Sequence, residues 1–551
     1  SNIKVGEMAN MENFRIVEGN KIVKRNGTEV LVTAPSKING MWCGKLSGEY
    51  QLIYASGGNV YKHGTTPSLL GTITDAETTF FCVNDKLYML NGKDYKCYDG
   101  TNLSNVVGYV PTIYNNVVFG GEEDDIGNGQ LIHVLSEPIF ESINSLSDTC
   151  KMTFTIHPRW ESMGYKDIYF WIEGLNVTRL LEFKVNGVTT TMTNPQGAGR
   201  LIRFTSYVTL YPNNYCELTF EIAPTETNIK KMKYAEFYGG GNDSRVFLYG
   251  DGTNRIYYSG IAVNDPKINP EYFPELNFID VGSTEYPVTA LTRQHDSLLI
   301  FKEDSAYYSR YATYTDYEGK LIPYFITLPI NKTVGNVAFN QVQVIENNPV
   351  SLSGGGAYVW INTTIKDERN AQLISQRVVK SLKGVDLKQC VTFDNERGGE
   401  YFICDKANGV VYVFNYRLNV WYKYTGIYAE KFLKMGDDII FSSGNKIYKF
   451  IPEPSDSGQP YKCVLESGYL DFGDKTKEKY VNRVWTDFEG SGSIEFLTEH
   501  GDKKIYQLGK RLKLNLKRFK KMKFFIKSEN LDPFTLDGVH IGASLTDREV
   551  R

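Results

Sequence analysis

Histidine, cysteine, glycine-rich and acidic groups are where chemistry would show first in this 551-residue chain. His63, His133, His157, His295, His500 and His540 stand apart, with no HExxH and no pair at metal-ligand spacing. The cysteines, Cys43, Cys82, Cys97, Cys150, Cys216, Cys390, Cys404 and Cys463, include no CxxC and read as reduced, partly buried thiols. No G-x-S-x-G, Walker A loop or dinucleotide-binding glycine phrase occurs. Tyr238-Gly239-Gly240-Gly241-Asn242-Asp243 lacks the Lys-Ser/Thr of a phosphate loop and reads as a turn.

The acidic run Glu122-Glu123-Asp124-Asp125 offers hard oxygens that suit Ca²⁺, but without EF-hand spacing it reads as an acidic contact loop. The DGTN phrases at Asp99 and Asp251 read as turn chemistry. We therefore expect no catalytic, cofactor-binding or metal-ligating residue, and expect that the chain is not an enzyme. One class of chemistry leaves no linear motif: a carboxylate pair for glycoside hydrolysis is defined by geometry, and 64 acidic residues are present.

The strongest electrostatic feature is residues 503–527, KKIYQLGKRLKLNLKRFKKMKFFIK, with eleven Lys or Arg and no Asp or Glu. The chain's net charge is −3, so the rest carries −3 − 11 = −14. Leu512, Leu514 and Leu516 alternate with Lys513, the pattern of a strand with one apolar and one basic face. Lysines guard exposed sheet edges against aggregation, and clustered cations also attract phosphates or an acidic partner. Both readings stand for Lys510, Arg511, Lys513, Lys517, Arg518, Lys520, Lys521 and Lys523, the candidate DNA- or partner-facing set.

The elements that must position these residues come from one repeated phrase: an apolar strand, a tight polar turn, an aliphatic residue, a tyrosine and another apolar strand. QLIYASGGNVYKH, TFFCVNDKLYML, RVFLYGDGTNRIYYS, LLIFKEDSAYYSR, VSLSGGGAYVWI, YFICDKANGVVYVF and DIIFSSGNKIYKF align on Tyr61, Tyr88, Tyr257, Tyr307, Tyr358, Tyr412 and Tyr448. Gly, Asn and Asp in the turns tolerate positive φ, and the flanks alternate with the strand period. A lone hairpin cannot bury its face, so the copies must pack in series, as in a β-propeller. The fold class expected is all-β, with a propeller of six or seven blades.

Spacing adds detail. Steps of 50, 51 and 54 residues from Tyr257 to Tyr412 suit four-stranded blades. The 27-residue step from Tyr61 to Tyr88 is short, as if two hairpins shared one blade. The 169-residue step from Tyr88 to Tyr257 is far too long, and residues 112–230 read as an inserted β-sandwich. Residues 1–36 form an N-terminal hairpin, with Val23 at the tyrosine position, that would supply a strand to close the propeller. The propeller takes 37–111 and 231–455, and 456–551 form a C-terminal β-domain after the linker IPEPSDSGQP. KDERNAQLISQRVVKSL is the best helix candidate. No run of eighteen apolar residues reads as a membrane helix, and SNIKVGEMANMENF lacks the apolar stretch of a secretory signal.

MENFRIVEGNKIVKRNGTEVLV resembles the opening of tailed-phage packaged-DNA stabilization or tail-nozzle proteins, where an "FR..dG.l.KR.G" phrase precedes a propeller. YGGGNDSRVFLYGDGTNRIYYSGIAVNDPKINPEYFPELNFIDVGS and VTALTRQHDSLLIFKEDSAYYS are similar to the middle of such proteins from phages of Gram-positive hosts, and DSGQPYKCVLESGYLDFG to their end. The likeness runs over most of the chain and is weakest in the insertion. It implies a structural virion protein of a tailed bacteriophage, made in the host cytoplasm. Copies would form a homo-oligomeric ring in the tail or at the head-tail junction, around the DNA channel. The ring would contact adjacent portal, adaptor or tail proteins and help retain or pass packaged DNA without sequence specificity. The family has no catalytic residues or cofactor to carry over. A carbohydrate-binding or glycan-cleaving propeller, such as a receptor-binding tail component, is the alternative; an intracellular scaffold propeller is a third reading.

Overall fold

The computed structural model describes residues 8–549 except 107–112, 116–138, 141–148, 156–164, 173–176, 200, 212, 223–228, 240–243, 261–267, 272, 274–276, 316–320 and 362–369. The fold is all-β and built from blades of the propeller type. Among the described residues seven four-stranded antiparallel meanders occupy 38–72, 79–105, 234–280, 288–331, 343–373, 391–425 and 431–451, the last completed by Gly27–Thr33. The strand that the N-terminal segment supplies to a blade is Gly27–Thr33, paired with Lys446–Ile451. The hairpin of Phe14–Val17 and Lys21–Lys24 joins a C-terminal sheet instead, which takes Val23 out of the tyrosine series.

Six of the seven aligned tyrosines lie on the third strand of their meander, and all six are half-buried. The second strands explain why. Ser297–Lys302 and Glu400–Asp405 are buried at every position, so apolar residues cover both faces and the turn that follows presents the tyrosine strand outside them. Tyr88 is the exception. It sits on the second strand, Lys86–Leu90, because its Asn-Asp turn is the first turn of that meander, with Asn84 and Asp85 at φ 51° and 57°. The short step is therefore a change of turn between two separate meanders, correcting the reading of two hairpins in one blade.

Two compact units divide the chain: Asn39–Asn340 with Ile361–Ala371, and Ser1–Ile38 with Gln341–Trp360 and Gln372–Arg551. In the first, Phe81, Leu90 and Tyr95 share a core with Val246 and Leu248, so the meanders flanking the 169-residue step pack together. Between them in sequence are two further sheets, of four and five strands, which meet where Phe183 and Phe204 stack edge to face at 4.8 Å. Tyr234, Leu291 and Ile300 continue the packing into the 288–331 meander.

The second unit holds the C-terminal sandwich. Cys463–Ser467, Met522–Ser528, Ser493–Thr498 and Lys503–Gln507 extend the 391–425 meander into a nine-stranded sheet, through Met8–Glu12. Against it lies a five-stranded sheet ordered Phe14–Val17, Lys21–Lys24, Thr535–Glu549, Lys477–Glu489, Arg511–Phe519. Val481, Val484, Leu514 and Leu516 meet Ile494, Phe496, Phe524 and Ile526 in the core between them.

The Lys24-Arg25-Asn26-Gly27 phrase ties the blade and sandwich of this unit together. Arg25 is fully buried, stacks 3.9 Å over Tyr461, and grips Asp456 with two guanidinium nitrogens at 2.5 and 3.0 Å. Its Nε donates to Asn13, whose Oδ1 also accepts the Thr425 amide. Lys24 donates its ammonium to Asn530 and Asp532 carbonyls at 2.8 Å and to the Asn530 side chain at 2.7 Å. Gly27 has no space for a side chain: a Cβ would lie 2.0 Å from the Ser455 oxygen and 2.4 Å from that of Glu453. Gly27→Ala is expected to displace this linker and lower the unfolding free energy by about 1–3 kcal/mol, read as a lower denaturant midpoint.

The helix candidate is corrected: among its described residues only Val379–Leu382 is α-helical, and Ala371–Leu373 is a strand. Gly384 follows within two residues, and four residues are too few for a stable helix without tertiary support. Among the described residues no helix is long and apolar enough to cross a membrane.

Candidate functional site

The basic run does not form one surface; strand order splits it. Arg511–Phe519 is the edge of the five-stranded sheet, paired only with Lys477–Glu489, while Met522–Ser528 lies inside the nine-stranded sheet. On the second strand the cations are matched: Lys523 binds Glu466 at 2.6 Å and Lys527 binds Glu495 at 2.7 Å, and Lys503, on Lys503–Gln507 of the same sheet, binds Glu495 at 3.0 Å. Eleven unopposed charges are therefore not present, and Lys523 leaves the candidate set as an internally paired residue. Lys520 and Lys521 form the connecting turn, their backbone amides capped by the Glu499 carboxylate.

The edge strand behaves differently. Leu514 and Leu516 point into the core, and Arg511, Lys513 and Lys517 point to solvent. Lys510 precedes the strand, and Arg518 near its end takes a left-handed φ of 58°. Among the described residues Lys510, Arg511, Lys513, Lys517 and Arg518 make no ion pair. Register then adds residues that sequence reasoning missed. Trp485, Arg483 and Tyr480 of the neighbouring strand stand opposite Arg511, Lys513 and Lys517. Opposite residues of paired strands share a face. Trp485 is 40% exposed, and Lys517 lies 5.5 Å from the Tyr480 ring. The alternation of NRVWTDFEG carried a signal for this strand, but not for which strand lies beside it.

Other candidates resolve into structure. Asp99 and Asp251 cap their own turns, Asp251 Oδ1 accepting from the Thr253 amide at 2.9 Å and hydroxyl at 2.7 Å. Burial pushes the Cys404 and Cys463 thiols up to about 12, which keeps them protonated and unreactive. Among the described residues no three His, Cys, Asp or Glu converge as metal ligands. Glu122, Glu123, Asp124 and Asp125 lie outside the described residues.

Two carboxyls stand out, Glu400 buried and Asp394 half-buried. Glu400 accepts the Tyr422 hydroxyl at 2.6 Å, that of Tyr424 at 3.4 Å, and the Asn395 amide at 2.8 Å. Asp394 is pushed up to about 6, chiefly by burial, against a stabilising hydrogen bond from Tyr416. Glu400 pairs with Asn395 and Tyr401 with Asp394, so the two carboxyls project to opposite faces of one sheet and cannot flank a single bond. The raised Asp394 value means that folding favours its protonated form. Its contribution is present below about pH 4 and is lost as pH rises through about 6. Asp394→Asn is therefore expected to melt higher than the parent at pH 8, with the gap closing below pH 5 in a series of melts.

No protein-family model matches the sequence, and no curated protein matches it. Solved structures with a similar arrangement include the exo-β-1,3-galactanase of Phanerochaete chrysosporium with galactose, at 9% identity and a TM-score of 0.18, over 85% of this chain and 96% of that one. An auxiliary nutrient binding protein from Bacteroides thetaiotaomicron aligns at 8% identity and a TM-score of 0.21, over 81% of this chain and 98% of that one. The expectation that the chain is not an enzyme is corrected here, because three of the similar structures are of the galactanase. Motif absence was a poor basis for it, since glycosidase carboxylates are brought together by the fold. At these TM-scores the likenesses assign this chain no reaction.

Proposed function

We propose that this chain is a structural virion protein of a tailed bacteriophage, a ring-forming component of the tail, nozzle or head-tail junction that surrounds the DNA channel. It helps retain or pass packaged DNA and meets adjacent portal, adaptor or tail proteins. The observation that carries the reading is the exposed row Arg511, Lys513 and Lys517 beside Arg483, cations that make no ion pair among the described residues, in a chain whose remainder is acidic. Such a row attracts phosphates independently of base sequence. The resemblance of the Phe14-Arg15 and Lys24-Arg25-Asn26-Gly27 phrases to packaged-DNA stabilization proteins supports the same reading. Cryo-electron microscopy of purified virions is expected to place the chain in a ring around the channel. Its presence only in host cytosol would overturn the proposal.

A second reading, a carbohydrate-binding or carbohydrate-cleaving tail component, is favoured by one observation. Tyr207, Tyr211 and Tyr215, around one loop of the inserted sheets, are 72%, 59% and 39% exposed. Exposed apolar rings in one region mark interaction sites. A glycan array and a hydrolysis screen that includes β-1,3-galactan test it. Binding that falls in Tyr207→Ala and Tyr211→Ala supports this reading; no binding and no hydrolysis excludes it.

A further inference from the structure

We infer that the outer face of the five-stranded sheet binds single-stranded nucleic acid, with phosphates on Arg511, Lys513, Lys517 and Arg483 and a base stacked on Trp485. Three rows cross this face: Arg511–Trp485–His540, Lys513–Arg483–Gly542 and Lys517–Tyr480–Ser544. Alternate residues along a strand are about 6.8 Å apart, so Arg511 and Lys513 stand about 6.8 Å apart and Lys517, four residues further on, about 14 Å beyond, a line of cations that an extended phosphodiester chain can follow.

Edge protection does not account for the pattern. Arg483 and Trp485 belong to an interior strand, flanked by both Arg511–Phe519 and Thr535–Glu549. Arg483 stands directly opposite Lys513, and like charges opposite one another destabilise a sheet. In the facing sheet of the same sandwich, Glu466 and Glu495 neutralise their lysines. Here the exposed carboxylates on the interior strand, Asp487 and Glu489, both lie beyond Trp485, pairing across to Gly538 and Thr535, and Glu478 at the strand's other end is half-buried. The repulsion is left for a polyanion to relieve.

Trp485 makes the class of polyanion more specific. Its indole lies over Gly542, where a Cβ would sit 3.3 Å from the ring, so the missing side chain lets the ring lie on the sheet while 40% exposed. An open aromatic ring set among cations is the arrangement on which unpaired bases stack, because every base has a π-face. An acidic polypeptide would use the cations and leave the ring idle. The inference shares its cations with the proposed virion role but does not require a place in a virion.

Fluorescence anisotropy of the full chain with labelled oligodeoxythymidylate of about twenty nucleotides tests it, beside an abasic phosphodiester of equal length and a polyglutamate. The thymidylate is expected to bind most tightly, with affinity falling steeply between low and physiological salt. Trp485→Ala is expected to cost roughly tenfold for thymidylate and nothing for the abasic chain, with Trp485→Phe restoring most of it. Lys513→Glu with Lys517→Glu is expected to abolish binding to both, with an unchanged unfolding transition confirming the fold. Equal affinity for thymidylate and abasic chains, tighter binding of polyglutamate, or no binding at low salt would each overturn the inference. Finding the chain outside virions would leave a positive result standing.

Discussion

Arg25→Ala is expected to cost the unit that contains it about 3–5 kcal/mol, the largest loss of any single substitution considered. The guanidinium is wholly buried and serves five acceptors: both Asp456 oxygens, Asn13, and the Asn26 and Thr425 carbonyls. Removing it leaves the Asp456 carboxylate without its counter-ion, Asn13 without its donor and Tyr461 without its stacking partner. Arg25→Lys is expected to recover little, since an ammonium cannot make the two-pronged contact with Asp456 and reach Asn13 as well. Chemical denaturation with separate probes for the two compact units gives the measurement. A loss below about 1 kcal/mol would show that the clamp is dispensable.

Glu400→Ala should be the next most damaging change, at about 2–4 kcal/mol. Burial pushes the Tyr422 and Tyr424 hydroxyls well above their ordinary range, with the neighbouring Glu400 charge adding to it, so both remain donors. With the carboxylate gone, two buried hydroxyls and the Asn395 amide lose their acceptor and a void opens beside them. Glu400→Gln keeps the volume and one acceptor oxygen, but turns an amide donor toward one of the three donors. Its loss is expected to fall between parent and alanine, and the order of the three denaturation midpoints is the check. Equal midpoints for Gln and Ala would mean that packing, rather than hydrogen bonding, dominates at this position.

Much of the architecture was legible because strands and turns are local. Alternating apolar residues, and Gly, Asn and Asp at the turns, marked the hairpins that became the meanders, and the 169-residue step located the additional sheets. Where the reading failed, pairing between distant segments was the cause. Tyr88 matched the repeated phrase yet belongs to a different turn of its meander, because first and second turns share the same residue chemistry. The arm at Phe14–Lys24 carried a hairpin pattern that fits a blade or a sandwich equally well.

The basic run shows the same division at the candidate site. Its sequence determined that cations would alternate with leucines on a strand, since side chains on a strand point alternately to its two faces. It could not determine which strand would be an edge, or that Glu466 and Glu495 would neutralise the second half while Arg511, Lys513 and Lys517 stayed unpaired. Those outcomes depend on partners 32 to 57 residues away. Trp485 and Arg483 likewise carried no local mark; only cross-strand register set them beside the cations. Local alternation fixes what each strand can present, and tertiary pairing decides which charges are cancelled and which remain available to a partner.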